Sequence, residues 1–177
     1  MSEPYFPRPF KWMHWITAIV VLVMLVAGQR FDGEMSAPDR AFSLAAHSSL
    51  GALVVLLVLA RLACRFSGMA RSPATTLSAA QKRLSRLVQG ALYLLLLALP
   101  ITGYLTARAH ELPVRLLGLF DLSTGNGAGF DRLRQLHETL TWALIALLAL
   151  HIGAGLVHAA RRDGVLDGMN PFKKHFG

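Results

Sequence analysis

The residues best suited to bind a cofactor in this chain are its histidines, of which there are 7 in 177 residues. Five of them lie in or at the ends of long apolar stretches: His14, His47, His137, His151 and His158. A polar ring inside a membrane helix needs a partner, so an intramembrane histidine indicates a functional site by default. The other two, His110 and His175, lie in polar segments and are expected to be solvated.

The spacing of two histidines in the last apolar stretch predicts two ligand positions on one helix. At about 100° and 1.5 Å per residue, His137 and His151 lie within about 40° of one face and roughly 21 Å apart along the axis. Haem accepts two axial imidazoles, whereas zinc prefers a tetrahedral cluster. The chain has no CxxCH motif, so the pattern predicts two haem b groups held by histidine pairs without covalent attachment.

Four apolar stretches must position these histidines. Their central parts are free of acidic and basic residues, and each is close to the roughly 20 residues that cross a hydrocarbon core. The predicted transmembrane helices are 10–29, 41–62, 86–107 and 137–160. With 54% hydrophobic residues and a mean hydropathy of +0.45, residues 1–177 are expected to form one all-α, integral membrane four-helix bundle.

The distribution of basic residues predicts the orientation of this bundle. The two terminal segments and the connection between the second and third helices carry 12 of the 18 Lys and Arg residues. Cytoplasmic flanks carry such an excess, so both termini are predicted to be cytoplasmic. The formal net charge of +8 is explained by these flanks. Lipid is therefore the expected partner, and nucleic-acid binding is not expected.

The topology pairs the histidines by depth. His47 and His137 both lie near the outer surface and are expected to share one haem. His14 enters from the cytoplasmic side, so its partner must come from the inner half of the fourth helix. His151 is the preferred partner, and His158, seven residues further on and within about 20° of it, is the substitute.

Small and basic residues accompany the predicted sites. Gly51 lies four residues after His47, and Gly103 lies in the third helix; both are expected to leave room for a macrocycle. Simple helix packing is the alternative, because glycine is common in membrane helices. Basic residues of the outer connections are expected to steer a small anion or to pair with haem propionates: Arg30, Arg40, Arg108, Arg132 and Arg134.

Five short segments carry a resemblance to a known family. They are Lys11-Trp12-Met13-His14-Trp15, Ala46-His47-Ser48-Ser49-Leu50-Gly51, Ala98-Leu99-Pro100-Ile101-Thr102-Gly103, His137-Glu138-Thr139-Leu140, and Leu150-His151 followed by His158. The pattern, which extends from residue 10 to residue 162, resembles the prokaryotic cytochrome b561 family. That resemblance implies a four-helix, di-haem protein of the bacterial inner membrane.

The resemblance also implies ligands and an activity. His14 with His151, and His47 with His137, would be the axial ligands. Some members of the family are superoxide oxidases, which oxidise superoxide at the outer face and reduce ubiquinone. This compact chain resembles that branch. Four of the arginines, Arg30, Arg40, Arg132 and Arg134, would then attract superoxide towards the outer haem, and His158 would hydrogen-bond or protonate the quinone.

Two other functions stay open from the sequence. Other members of the family are the membrane cytochrome of a hydrogenase or a similar dehydrogenase, so the chain can also be a non-catalytic relay from a periplasmic redox protein to quinone. The third alternative is a structural or transport bundle without a cofactor. An absorption spectrum separates the third from the first two, because only they require b-type haem.

Overall fold

The computed structural model describes residues 6–69 and 77–172 of the chain. Its four long helices are α1 (Arg8–Gly28), α2 (Ala37–Phe66), α3 (Ala79–Ala109) and α4 (Phe130–Arg161). Short 3₁₀ helices at Gln29–Asp32 and Leu166–Met169 follow α1 and α4, and β1 (Arg115–Leu116) and β2 (Phe120–Asp121) form an antiparallel hairpin between α3 and α4. All four long helices are apolar enough to cross a membrane. The predicted all-α, four-helix membrane bundle is thereby confirmed.

The helices extend beyond the predicted spans. α2 has 30 residues and α4 has 32, which at 1.5 Å per residue gives lengths of about 45 Å against a hydrocarbon core of about 30 Å. Capping explains where two of them begin. Ser36 accepts a hydrogen bond from the Asp39 amide at the start of α2, and Ser78 and Gln81 form a capping box at the start of α3. The basic residues 82–86 therefore lie in the first turns of α3.

The centre of the bundle is a small apolar core to which all four helices contribute. Its buried residues are Val21, Val54, Val58, Leu92, Leu99 and Leu144. Along the chain, each helix packs against the next: α1 on α2, α2 on α3 and α3 on α4. Many other large apolar side chains point outward, such as Val26, Leu94 and Leu156. This outward apolar surface is the one that lipid would cover.

The first and last described segments meet at one end of the bundle, which we name the terminal end. The Lys11 ammonium donates to the Asn170 carbonyl at 3.1 Å, and the Trp15 indole donates to the Met169 carbonyl at 2.9 Å. The first and last described segments therefore lie on the same side, as an even number of crossings requires. That this side faces the cytoplasm stays a prediction from the charge distribution.

The hairpin and the first connection lie at the opposite end, which we name the loop end. The Leu117 amide donates to the Ser49 hydroxyl at 2.8 Å, which fixes the hairpin tip against α2. Leu117 and Gly118 both have positive φ, 54° and 70°, and glycine adopts that conformation without steric cost. The tip exposes the side chains of Leu117, Leu119 and Phe120.

Candidate functional site

Two pairs of histidines converge inside the bundle, one towards each end. His14 of α1 faces His151 of α4 with 6.1 Å between ring centres, and we name these two the terminal pair. His47 of α2 faces His137 of α4 with 6.4 Å between ring centres, and these two are the loop pair. Both pairs are those that the topology predicts, and α4 supplies one ring to each.

The ring separations match those of two axial ligands on one metal. With metal–nitrogen bonds of about 2.0 Å and about 1.1 Å from nitrogen to ring centre, two imidazoles on opposite sides of one iron have centres about 6.2 Å apart. The observed values of 6.1 Å and 6.4 Å lie on either side of this distance. The ring planes are inclined by 73° and 74°, which axial coordination permits because each ring can rotate about the metal–nitrogen bond.

A threonine that the sequence analysis missed orients His137. The Thr102 hydroxyl lies 3.0 Å from His137 Nδ1 and donates to the carbonyls of Ala98 and Leu99 on its own helix. Since its single proton is used there, the hydroxyl accepts from Nδ1–H of the imidazole. Nε2 is then the nitrogen with a free lone pair, and a ligating histidine typically donates its other N–H in this way.

The second ring of the loop pair carries a buried polar atom that needs a partner. Among the described residues, His47 Nδ1 is the buried side-chain nitrogen without a hydrogen bond. Leaving such a group without a partner costs about 1–3 kcal/mol. Coordination of a metal by Nδ1 of His47 would satisfy this atom, so the residues at this site fit a group that binds two imidazoles.

The two predicted glycines have different surroundings. A Cβ atom on Gly103 would lie 3.2 Å from Cε1 of His137, which is closer than ordinary van der Waals contact, so glycine at this position leaves room for the His137 ring. A Cβ atom on Gly51 would meet Met24 of α1 at 3.7 Å, an ordinary contact. Gly28, which the sequence analysis did not select, lies beside His47, with its Cβ position 3.8 Å from Cε1 of that ring.

His158 lies seven residues beyond His151 on α4 and contacts Asp163 instead of His14. Its Nδ1 is 2.6 Å from a carboxylate oxygen of Asp163, and the other oxygen of that carboxylate accepts from the Val165 amide at 3.2 Å. The hydrogen bond from His158 lowers the pKa of Asp163 from its ordinary value of 3.8. The structure thus places His151 against His14 and places His158 with Asp163, a partner that the sequence analysis missed.

A buried arginine next to the terminal pair was also missed. The Arg61 side chain is only 8% exposed, donates to the Phe10 carbonyl at 3.1 Å and lies 4.3 Å from the centre of the Phe10 ring. Its charge is close enough to interact electrostatically with both His14 and His151. In the sequence Arg61 follows an apolar run and precedes Arg65 by one turn, so it looked like an ordinary flanking charge.

The four selected arginines lie at the loop end but do not form one cluster of free charges. Arg40 donates to the carbonyls of Phe31 and Gly33, so it holds the first connection, and Arg134 pairs with Glu138 at 2.7 Å. Arg30 and Arg132 are exposed residues, and the Arg134 side chain is 42% exposed.

His110 lies at the same end and is half-buried rather than fully solvated. Its ring contacts Phe130 edge-on, with centres 5.0 Å apart, and Nδ1 accepts from the Leu112 amide. Burial lowers the pKa of His110, and the positive charges of Arg40 and Arg134 lower it further. His175 lies outside the described residues.

Comparison with known proteins places the chain among membrane cytochromes. It matches the family model described as prokaryotic cytochrome b561 over residues 5–171. It is 30% identical over 155 residues to a protein named cytochrome b561 homolog 2 of Escherichia coli K12, and this alignment covers 82% of the chain and 79% of that protein. The matched residues include all four helices and both histidine pairs.

Proposed function

Because this chain belongs to the prokaryotic cytochrome b561 family, we propose that it oxidises superoxide at the loop end and reduces ubiquinone at the terminal end. Membership makes the chain a multi-pass, haem b-binding protein of the bacterial inner membrane that takes part in electron transfer. The donor, the acceptor and the roles of individual residues are the proposal.

The observation that carries the proposal is the pair of matched ring separations, 6.1 Å and 6.4 Å. His14 and His151 would hold one haem, and His47 and His137 the other. Each haem, when bound, supplies reversible one-electron chemistry between its ferrous and ferric forms. Because α4 contributes to both pairs at positions roughly 21 Å apart along its axis, the two sites would be stacked from one leaflet to the other.

The proposed net reaction uses two superoxide anions for each ubiquinone. Two superoxide anions each lose one electron and become dioxygen. One ubiquinone takes up the two electrons and two protons and becomes ubiquinol. The protein must therefore attract an anion at one end and supply protons at the other.

The loop end has residues suited to attracting the anion. Arg30 and Arg132 are exposed there, and Arg40 lies nearby with two of its donors bound to backbone carbonyls, whereas the charge of Arg134 is paired with Glu138. A positive surface raises the local concentration of an anionic substrate and its rate of encounter. The predicted cytoplasmic position of both termini would place this end on the outer side, where the proposal requires the anion to arrive.

The terminal end has a residue suited to supplying protons. The Asp163 carboxylate accepts from Nδ1–H of His158, which leaves Nε2 as the nitrogen that exchanges a proton with a substrate. A carboxylate that accepts from one nitrogen fixes the tautomer and orientation of an imidazole. When both of its ring nitrogens carry a proton, His158 would donate the Nε2 proton to a ubiquinone oxygen, and Asp163 would act as its positioning residue.

The proposal is tested with purified protein in lipid nanodiscs that contain ubiquinone. Superoxide is generated in the sample, and the b-type absorbance bands and ubiquinol are followed together. We expect fast haem reduction and ubiquinol formation, both abolished by added superoxide dismutase. Haems that stay oxidised under superoxide, in protein that dithionite reduces, would contradict the proposal.

One observation favours the alternative, a relay subunit that accepts electrons from a periplasmic redox protein. The hairpin tip exposes Leu117, Leu119 and Phe120 by 65%, 76% and 62%, and exposed apolar patches mark sites of protein or membrane contact. In that case the haems would be inert to superoxide and would be reduced only in the presence of the partner.

A further inference from the structure

Arg61 is a buried cation inside a membrane helix. It lies in α2, five residues before the helix ends at Phe66, and its side chain is 8% exposed. A guanidinium is not deprotonated in proteins, so arginine keeps its charge even where it is buried. Arg61 therefore brings a full positive charge into the terminal end of the bundle, close to His14 and His151.

The neighbours of Arg61 satisfy it only in part. One of its five N–H donors is used by the Phe10 carbonyl, and the face of the Phe10 ring covers the guanidinium. Within residues 6–69 and 77–172, none of its contacts is a carboxylate. A buried charge is costly unless an opposite charge and further hydrogen bonds compensate it. In the described part of the chain no carboxylate contacts this charge, and a bound anion would stabilise it there.

We propose that Arg61 binds a propionate carboxylate of the haem held by the terminal pair. Haem b carries two such carboxylates, and a guanidinium binds a carboxylate through two parallel hydrogen bonds. The inference rests on the proposed haem site at His14 and His151. It adds a second, ionic anchor for the haem, supplied by α2, a helix that gives no ligand to that site.

The alternative acceptor at this end is a ubiquinone oxygen. A quinone carbonyl would use an N–H donor of Arg61 but would leave its charge without a counter-charge. A carboxylate provides both, so the electrostatic requirement favours the propionate. The two ligands affect different measurements, because a propionate contact changes the potential of the haem and a quinone contact changes the KM for ubiquinone.

The charge of Arg61 should raise the reduction potential of the haem that it anchors. A cation near the haem stabilises the ferrous form, which carries one positive charge fewer than the ferric form. Replacing Arg61 by glutamine removes that cation and leaves the propionate charge uncompensated. The ratio of ferrous to ferric haem at the terminal site, measured at a fixed applied potential, should then fall by about tenfold, or about 59 mV for a one-electron couple.

The experiment is a spectroscopic redox titration of Arg61→Gln, Arg61→Lys and Arg65→Gln in nanodiscs, with haem content measured on the same samples. Arg65 is the matched control because it lies one turn further along α2 and donates to Gln89 of α3 at 3.0 Å. We expect the tenfold fall only in Arg61→Gln, little change in Arg61→Lys, and none at the loop haem. His14 and His47 variants, each lacking one haem, assign the two titrations.

Several outcomes decide the inference. Arg61→Gln that keeps both haems with an unchanged ferrous-to-ferric ratio would overturn it, and a raised KM for ubiquinone with that ratio unchanged would assign Arg61 to the quinone instead. Loss of the terminal haem from Arg61→Gln but not from Arg61→Lys would support it, whereas loss from both would overturn it by making Arg61 a packing residue. Wild-type protein without a terminal haem would contradict the proposed function as well, which distinguishes the two failures.

Discussion

The terminal pair and the loop pair have almost the same ring geometry but different surroundings. The rings are 6.1 Å apart in one pair and 6.4 Å in the other. Beside the terminal pair lies the buried cation Arg61, whereas at the loop pair His137 bonds to the uncharged hydroxyl of Thr102. Two haems with the same histidine ligands can have different reduction potentials, because burial and neighbouring charges affect the potential as well as the ligands do.

The different surroundings of the two pairs would favour electron transfer in one direction through the bundle. A cation beside the terminal haem would raise its potential, while a hydrogen bond from the ligand to Thr102 gives His137 more electron density and lowers the potential of the loop haem. Electrons would then pass favourably from the loop end to the terminal end. The proposed reaction, with superoxide at the first and ubiquinone at the second, has the same direction.

The largest difference between the two haem sites is expected from a substitution beside His137, which should remove the loop haem and leave the terminal haem bound. In Gly103→Val, the added side chain occupies space 3.2 Å from the His137 ring and displaces that ring from its axial position. We expect haem per chain to fall from two to one, with the terminal haem retained. Gly90→Val is the control, because a Cβ atom on Gly90 of the same helix meets nothing within 4 Å. If Gly103→Val kept two haems per chain, the position of the His137 ring would not determine whether the loop haem binds.

Removing the orienting hydroxyl should have a smaller effect at the same site. Thr102→Val keeps the shape of the side chain but removes the hydroxyl that lies 3.0 Å from His137 Nδ1. Loss of such an outer partner typically weakens metal binding by about 10–100-fold. We expect weaker retention of the loop haem against a haem-scavenging protein, and a raised potential of that haem. Thr106→Val is the control because the Thr106 hydroxyl bonds only to the Thr102 carbonyl. The same retention in both variants would remove Thr102 from the account.

At the terminal end, the His158–Asp163 contact should affect the quinone and not the haems. Asp163→Asn removes the charge that orients His158, so ubiquinol formation is expected to slow by about tenfold while superoxide still reduces both haems. The measurement is single-turnover absorbance with parallel quinol analysis. Haem loss from this variant would contradict the separation of the two roles.

The same contact predicts a dependence of stability on pH. The pKa of Asp163 is lowered from 3.8 in the folded protein by its hydrogen bond from His158. The ionised carboxylate therefore contributes stability that is complete above pH 3.8 and is lost as the pH falls through the lowered pKa. Thermal unfolding of wild type and Asp163→Asn should differ at neutral pH and converge in acid. A difference that persists or grows in acid would contradict this linkage.

The smallest effect is expected from the exposed charges at the loop end. Arg132→Gln removes one of several cations near the surface, so superoxide-driven haem reduction should slow by about two- to threefold at low salt and by less at high salt. Stopped-flow absorbance at two ionic strengths measures it, with Arg83→Gln at the opposite end as the control. Equal slowing in both variants would show that the attraction of superoxide does not depend on which end of the bundle carries the charge.

Much of this architecture follows from sequence patterns that act locally. Charge-free runs identify the four helices because lipid excludes charge, and the fourteen-residue step between His137 and His151 places both on one face of α4. The choice between His151 and His158 did not follow. It depends on the turn after Arg161, where Asp163 folds back onto His158, and one-dimensional spacing carries no information about that turn.

The residues that the sequence analysis missed share a physical cause. Thr102 meets His137 from a different helix, and Arg61 meets Phe10 across 51 positions of the chain. Their types are ordinary for their segments, because threonine is common in membrane helices and arginine is common at their ends. Only packing brings them to the histidines. Arg40 illustrates the converse, since its sequence position predicts a steering charge and its fold commits two donors to backbone carbonyls.

The central claim is that α4 supplies one imidazole to each of two haems, with His14 and His47 completing the sites. The most direct measurement is haem per chain in the single alanine variants of His14, His47, His137 and His151, purified from cells with ample haem and compared with His158→Ala. We predict one haem in each of the four, the same remaining haem spectrum within each pair, and two haems in His158→Ala. Two haems in His151→Ala together with one in His158→Ala, or a colourless wild-type protein, would contradict the claim.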